Sequence, residues 1–174
     1  MKVRRRPDGS ADLLQLLLQR RGSPARGDAR YAGAAMREPF SHRMRVRFNE
    51  CDPQGVVFYA NYLMYVDVAM TEFWRDAAGG YSAMVASGTD VMVAEATLRY
   101  RESARFDDEL DIRMWVTRLG TTSVVIGFAI ERVADRILLV EGELRQVFVD
   151  GTTFEKREMP ERIREGITGD GATS

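Results

Sequence analysis

The stretch FNECDPQGVVFYANYLMYVD, residues 48–67, decides the fold of this chain. It places Glu50 and Asp52 beside a turn built on Pro53 and Gly55, and then passes into a long apolar and aromatic run. Proline and glycine are the residues that tight turns favour, because one fixes a backbone angle and the other tolerates left-handed conformations. The two acidic side chains at the start of an apolar run are therefore either turn caps or parts of a functional site.

The apolar run predicts one long helix over residues 61–78. Its hydrophobic residues recur at the i, i+3, i+4 and i+7 spacing that gathers them on one helix face. They are Leu63, Val66, Met70, Phe73, Trp74 and Ala77. Gly79 and Gly80 predict the helix end, since glycine readily takes the left-handed C-terminal conformation. Asp67 interrupts the apolar face, so we expect a buried acid that needs a partner or a ligand.

Alternation of apolar and polar residues predicts antiparallel strands on both sides of the helix. In the first predicted strand, Met44, Val46 and Phe48 alternate with arginines, and the same alternation places Glu50 on the solvent side. Four more extended segments follow at residues 89–104, 109–119, 123–133 and 136–150. Short helices are expected at residues 82–86 and after Pro160.

These elements predict an α+β fold in which one curved antiparallel sheet wraps around one long central helix. The domain is expected at residues 43–151, followed by a tail with a short helix at 152–174. Residues 1–42 are rich in Arg, Gly, Ala and Pro, and predict a disordered extension with one amphipathic segment at Asp12–Arg21. This extension is a flexible tail or an over-extended start before Met36 or Met44, and its acidic residues disfavour a targeting signal. Because an open sheet has edges to cover, we expect at least a dimer.

Composition excludes several classes of function. The formal net charge of −1 gives no sign of binding to nucleic acid or to a membrane surface, and no apolar run approaches the length of a membrane span. Cys51 is the only cysteine, so no intrachain disulfide and no thiol-based metal site are expected. His42 is the only histidine, which disfavours a Ser-His-Asp triad and a multi-histidine zinc site. Catalysis by this chain would have to use carboxylates, tyrosine and backbone dipoles.

The segment ECDPQGVVFYANYL, residues 50–63, resembles the hotdog-fold acyl-CoA thioesterases, and in particular the 4-hydroxybenzoyl-CoA and Tol-Pal-associated thioesterase family. The likeness continues through LRYRESARFDDELDI and RLGTTSVVIGFAI, and so spans residues 44–149. It implies a hotdog fold, a cytoplasmic homodimer or dimer of dimers with active sites at subunit interfaces, and hydrolysis of an acyl-CoA to a free acid and CoA. It implies no metal and no cofactor beyond the CoA of the substrate.

The resemblance also implies roles for individual residues. The catalytic carboxylate falls on Asp52, and the backbone N–H that polarises the thioester carbonyl falls on Tyr59. Asp67 matches an acidic position near the acyl pocket of some members. The loop in which some relatives carry a basic pair has only one arginine nearby in this chain, which weakens its assignment to CoA. The candidate substrate-binding residues are Gly55, Val57, Asp67, Arg118, Thr121, Thr122 and Ser123, with Arg99 and Arg101 less favoured.

The residues themselves support this chemistry. A carboxylate can activate water or attack a thioester directly, and the first turn of a helix offers free N–H groups to the developing oxyanion. The competing interpretations are structural: Asp52 as a turn cap, Cys51 as a packing residue and Tyr59 as core. Two other functions also stay open, a non-catalytic acyl-thioester binder and a thioesterase acting on an acyl carrier protein. A hotdog dehydratase is disfavoured by the position of His42, and the acyl group is left open.

Overall fold

The computed structural model describes residues 38–169. The expected N-terminal extension falls almost wholly outside the described residues, together with its Asp12–Arg21 segment. Five strands and three α-helices follow one another along the described chain. In chain order they are β1 (Phe40–Arg45), α1 (Asn61–Ala78), α2 (Tyr81–Ala86), β2 (Thr89–Tyr100), β3 (Glu109–Leu119), β4 (Ser123–Arg132), β5 (Leu138–Asp150) and α3 (Glu161–Thr168).

The five strands form one sheet in the order β1-β3-β4-β5-β2, and every neighbouring pair is antiparallel. The long α1 lies against this sheet, and residues from all five strands join it in one hydrophobic core. This confirms the predicted α+β fold with a curved antiparallel sheet and a central helix. The order also leaves β1 and β2 at the two edges, so β2 has a strand partner on only one side within the described chain.

The central helix has the predicted bounds. Val66, Phe73 and Trp74 are at most 2% exposed, so the aromatic pair fills the core rather than a pocket. The helix ends at Gly79, whose φ of 77° is the left-handed conformation that the sequence predicted. Leu63, however, is 42% exposed and does not belong to the buried face of the helix.

The first strand differs from its prediction. It begins at Phe40 and ends at Arg45, and Phe48 is 79% exposed in a 3-10 turn that spans Phe48–Glu50. The alternation of apolar and polar residues runs on through Phe48 in the sequence, but the chain leaves the sheet after Val46. The N–H of Val46 donates to the carbonyl of Asp108, and its carbonyl accepts the N–H of Asp107, both in the β2–β3 loop. The expectation of a strand through Phe48 was therefore wrong.

The short C-terminal helix packs on the same core as the sheet. Ile163 and Ile167 of α3 are buried, and Gly166 lies so close to the backbone of Ala77 that a Cβ would have no room there. The end of α1 is thus covered by α3.

No helix of the described chain has the length and hydropathy needed to cross a bilayer.

Candidate active site

The turn before α1 fixes the position of Asp52. The N–H of Asp52 donates to the carbonyl of Val56 at 2.9 Å, and the N–H of Gly55 donates to the carbonyl of Asp52 at 2.9 Å. Gly55 has φ of 75°, a conformation that glycine adopts without steric cost. Oδ1 of Asp52 accepts the N–H of Gln54 at 2.8 Å, which is the turn-capping role that the sequence allowed. Oδ2 has no hydrogen-bond partner among residues 38–169.

A second carboxylate, that of Glu50, ties this turn to α1. Its Oε2 accepts the Tyr65 hydroxyl at 2.8 Å and the Arg47 N–H at 2.7 Å. The Glu50 carbonyl accepts the N–H of Phe58 at 3.0 Å and the Asn61 side-chain amide at 2.8 Å. The expectation that Glu50 is merely a solvated acid was therefore wrong. Burial and the adjacent Glu50 raise the pKa of Tyr65 well above its ordinary value, so its phenol stays protonated and keeps donating.

The start of α1 has no side-chain cap, since Ala60 occupies the N-cap position. Within the described chain, the backbone N–H groups of Tyr59 and Ala60 donate to no carbonyl or side-chain acceptor. Free N–H groups at a helix start carry the positive end of the helix dipole, which favours a negatively charged or polarised oxygen. Tyr59 itself is 63% exposed, so its ring is not part of the hydrophobic core. Its carbonyl accepts the Tyr100 hydroxyl at 3.2 Å.

Asp52 and Tyr59 line the same cleft, whose volume is about 550 Å³. Val57 lies in its wall and is held by a bond from its N–H to the carbonyl of Ala104 at 2.9 Å. The structure thus brings together Asp52, Tyr59 and Val57 of the predicted site, with Gly55 in the adjoining turn. Phe58 and Tyr62, which the sequence left open between an aromatic pocket and the core, also line the cleft. Sequence reasoning missed three other lining residues, since they lie at or just beyond the end of β2 and meet the turn only after folding: Tyr100, Glu102 and Ser103. Arg101, given only an outside chance, also lines the cleft and pairs with Glu141 at 2.6 Å.

A second cavity lies on the other side of the first turns of α1, and we call it the α1–β2 groove. Its volume is about 420 Å³, within the range of small-molecule pockets. Most of its lining is apolar: Leu63, Met64, Val68, Met70, Val93 and Leu144. Ala60 lies at the groove and directly follows Tyr59 of the cleft, so the two cavities flank one helix start. Asp67 and Gln146 are the polar residues of its lining.

Comparison with known proteins identifies the family. The model of the thioesterase superfamily matches residues 54–138. The acyl-CoA thioester hydrolase YbgC of Escherichia coli is 32% identical over 124 residues, which are 71% of this chain and 92% of that protein. The chain belongs to the thioesterase superfamily.

Solved structures agree with this assignment. A hypothetical protein of Thermus thermophilus is 28% identical, with a TM-score of 0.68 over 74% of this chain and 97% of its own. The dynemicin thioesterase is 25% identical, with a TM-score of 0.71 over 79% of this chain and its whole length. The protein is a thioester hydrolase with the hotdog fold of these thioesterases.

Not every predicted site residue of this thioesterase lies at the cleft. Asp67 is exposed on α1 and lines the α1–β2 groove, so the expectation of a buried acid inside the apolar face was wrong. The reason is that its neighbours Leu63 and Met64 also face outward and turn this side of the helix toward the groove.

The predicted hairpin residues lie at the far end of the sheet. Ser123 pairs with Val147, which pairs with Met92, whereas the cleft lies beside Tyr100 at the other end of β2. At about 3.3 Å per residue the two positions on β2 are about 25 Å apart. Within one chain the structure therefore does not bring the residues of this β3–β4 hairpin to Asp52. These residues are Arg118, Thr121, Thr122 and Ser123.

The only histidine of the chain is not at the cleft. His42 lies in β1 and pairs in register with Ile112 of β3. Cys51 is half-buried and forms a bridge with Val57, as expected of a packing residue. Over the residues that the structure describes, no three His, Cys, Asp or Glu side chains are arranged to hold a metal ion.

Proposed function

We propose that the protein hydrolyses acyl-CoA thioesters to free acids and CoA, with Asp52 as the catalytic carboxylate. The observation that carries the proposal is a single cleft holding two complementary groups. One is the half-buried Asp52 carboxylate with Oδ2 unbonded, and the other is the uncapped start of α1 with the free N–H groups of Tyr59 and Ala60. The name of the E. coli relative, an acyl-CoA thioester hydrolase, supports the same substrate class.

The chemistry divides between these groups. The N–H of Tyr59, with that of Ala60 beside it, would donate hydrogen bonds to the thioester carbonyl oxygen and stabilise the negative charge that develops on it. Asp52 would then take a proton from an attacking water, or attack the carbonyl carbon itself, so that the C–S bond breaks, the CoA thiolate leaves and water cleaves the resulting anhydride. Thiolate is a good leaving group, so the reaction needs no strong general acid and no histidine.

The turn makes Asp52 ready for this role. Its Oδ1 accepts the Gln54 N–H, and this bond fixes the side-chain rotamer. Oδ2 is then available to act on the substrate or on a water molecule. The Glu50 carboxylate and carbonyl bind Tyr65 and Asn61, and so hold the chain just before Asp52 to α1. The carboxylate and the helix N–H groups are thereby held in one geometry before substrate binds, which is what lowers the barrier in a preorganised site.

The proposal includes a homodimer, or a dimer of dimers, formed through β2. Met92 and Val93 are 49% and 56% exposed on this edge strand, and an exposed apolar edge favours pairing with a second copy. Antiparallel pairing of β2 with its twin places the beginning of one strand beside the end of the other. The partner's β3–β4 hairpin then approaches the cleft, which gives Arg118, Thr121, Thr122 and Ser123 a role in binding CoA across the interface.

Gly55, Val57 and Asp67 complete the proposed substrate contacts. Val57 lies in the cleft wall near Asp52, and Gly55 allows the turn that holds Asp52. Asp67 faces the α1–β2 groove, which begins at Ala60 and so follows directly from the proposed carbonyl site. We propose this groove as the site of the acyl group. A cytoplasmic location belongs to the same proposal.

A panel of acyl-CoAs tests the function. Thiol release is measured with aromatic, short aliphatic and long fatty acyl groups, and the same acyl groups are offered on an acyl carrier protein. Turnover of at least one acyl-CoA is the expected result. Turnover of carrier-protein thioesters alone would move the substrate to that class, and tight binding without any turnover would identify a non-catalytic acyl-thioester binder.

A further inference from the structure

Two peptide groups at the start of α1 carry the free N–H donors of the proposed carbonyl site, and each is anchored through its carbonyl oxygen. The Phe58 carbonyl, which shares a peptide group with the Tyr59 N–H, accepts the Asn61 N–H at 2.9 Å. The Tyr59 carbonyl shares a peptide group with the Ala60 N–H, and it accepts the Tyr100 hydroxyl at 3.2 Å. The first anchor is backbone within the turn, whereas the second is the side chain of the last residue of β2.

The bond from Tyr100 sets the direction of a donor as well as the position of an oxygen. A peptide group is planar, and in its trans form the C=O and N–H bonds point in opposite directions, so the Ala60 N–H is turned away from Tyr100. Tyr59 and Tyr100 line the cleft, and Ala60 lines the α1–β2 groove. The Ala60 donor therefore lies where the two cavities meet. A thioester carbonyl takes this position if the acyl group is in the groove and the CoA arm is in the cleft.

Tyr100 is itself held in place by the sheet and the core. It pairs with Val140 of β5, and the following N–H, that of Arg101, donates to the Leu139 carbonyl at 2.8 Å. Its ring makes an edge contact with the ring of Tyr62, with 5.9 Å between centroids, and Tyr62 is only 2% exposed. A side chain fixed in this way can hold the start of α1 at a constant position relative to the sheet.

The ring contacts of Tyr100 do not need its hydroxyl. A phenylalanine would make the same edge contacts with Tyr59 and Tyr62, whose ring centroids lie 6.5 and 5.9 Å away. Within residues 38–169, the one hydrogen bond of the hydroxyl goes to the Tyr59 carbonyl. The hydroxyl is thus a separable part of the side chain, and its contribution is the orientation of one peptide group.

We propose that Tyr100 is a positioning residue for the carbonyl site: its hydroxyl holds the peptide group between Tyr59 and Ala60, so that the Ala60 N–H is aimed at the thioester oxygen before substrate binds. This inference rests on the proposed function, because it takes the free N–H groups of the helix start as donors to that oxygen. Helix ends fray, and a tilted peptide gives a bent and weaker hydrogen bond. Because preorganised donors stabilise the transition state more than the bound substrate, the hydroxyl should affect kcat more than KM.

Tyr100→Phe tests the inference, with Tyr81→Phe as the matched control. Tyr81 is 46% exposed, close to the 49% of Tyr100, and it lies on α2 outside the cleft lining. On the acyl-CoA that wild type hydrolyses best, Tyr100→Phe should lower kcat about threefold to tenfold and change KM by less than about twofold. Tyr81→Phe should match wild type in both constants. A wild-type kcat in Tyr100→Phe, or a loss confined to KM, overturns the inference.

A second measurement reads the polarisation of the carbonyl directly. A ketone analogue, in which a methylene replaces the thioester sulfur, binds without being cleaved, and an isotope label at its carbonyl carbon isolates its infrared stretching band. Hydrogen bonds to the oxygen lower the frequency of this band, so the wild-type complex should absorb below the free analogue and the Tyr100→Phe complex should lose part of that shift. Equal band positions in the two complexes overturn the inference. If wild type hydrolyses no thioester, the hydrolytic function fails, and the two bands still decide the role of Tyr100.

Discussion

The phenol of Tyr65 donates a hydrogen bond to Oε2 of Glu50 over 2.8 Å, and this bond joins the second turn of α1 to the chain that carries Asp52. The same oxygen accepts the N–H of Arg47 at 2.7 Å, so one carboxylate connects the 3-10 turn and the helix. The proposed catalytic carboxylate of Asp52 and the N–H groups at the helix start belong to two segments of chain, and this contact fixes the position of one segment relative to the other.

Tyr65→Phe should lower both stability and turnover. The variant keeps the ring in the core and removes only the donor to Glu50, so we expect a loss of about 1.5–3 kcal/mol, typical of a hydrogen bond to a charged group. Turnover should fall more than substrate affinity, because the Asp52 turn loosens while the binding walls stay. Urea unfolding and steady-state kinetics measure the two effects.

Tyr81→Phe is the control for that change, since its phenol is 46% exposed on α2 and meets Asp90 at the surface. It should change the free energy of unfolding by less than about 1 kcal/mol. Equal losses in the two variants, or unchanged turnover in Tyr65→Phe, would contradict a positioning role for the Glu50–Tyr65 contact.

Stability at alkaline pH should depend on the same tyrosine. Burial, and then Glu50, raise the pKa of Tyr65 above its ordinary value of 10.0, so near that pH the unfolded chain releases a proton that the folded chain keeps. The contribution of this group is complete below the unfolded pKa and is lost as the pH rises beyond it. The free energy of unfolding should therefore fall less steeply at high pH in Tyr65→Phe than in wild type. Burial also raises the pKa of Tyr62, so some alkaline slope remains, and parallel slopes would contradict the assignment to Tyr65.

Met92→Arg should break the proposed dimer. Met92 is 49% exposed on β2 and lies outside the groove lining, so an arginine there leaves the substrate walls intact and places a charge in the apolar edge that the second copy would cover. Sedimentation velocity should show a shift toward monomer, and activity should fall with it because the partner's hairpin leaves the cleft. Val85→Arg places the same charge on α2 and should stay dimeric. A dimer that persists in Met92→Arg would mean that the copies meet through another surface.

Much of the fold was predictable because the periodicity is strong. The bounds of α1 and β3 follow from apolar spacing, and both predictions were confirmed. The position of Glu50 was not predictable, because local alternation cannot show that the chain leaves the sheet into a 3-10 turn and meets Tyr65.

The central claim is that the Asp52 carboxylate drives hydrolysis, and the most direct measurement compares kcat/KM of wild type and Asp52→Asn on the acyl-CoA that wild type hydrolyses best. Asparagine retains an oxygen to accept the Gln54 N–H, so the turn should persist and the fold can be verified by circular dichroism and sedimentation. The account predicts a fall of at least about a hundredfold, as expected for loss of a positioned base or nucleophile. Equal kcat/KM in the two proteins, with the fold intact, would remove Asp52 from the mechanism.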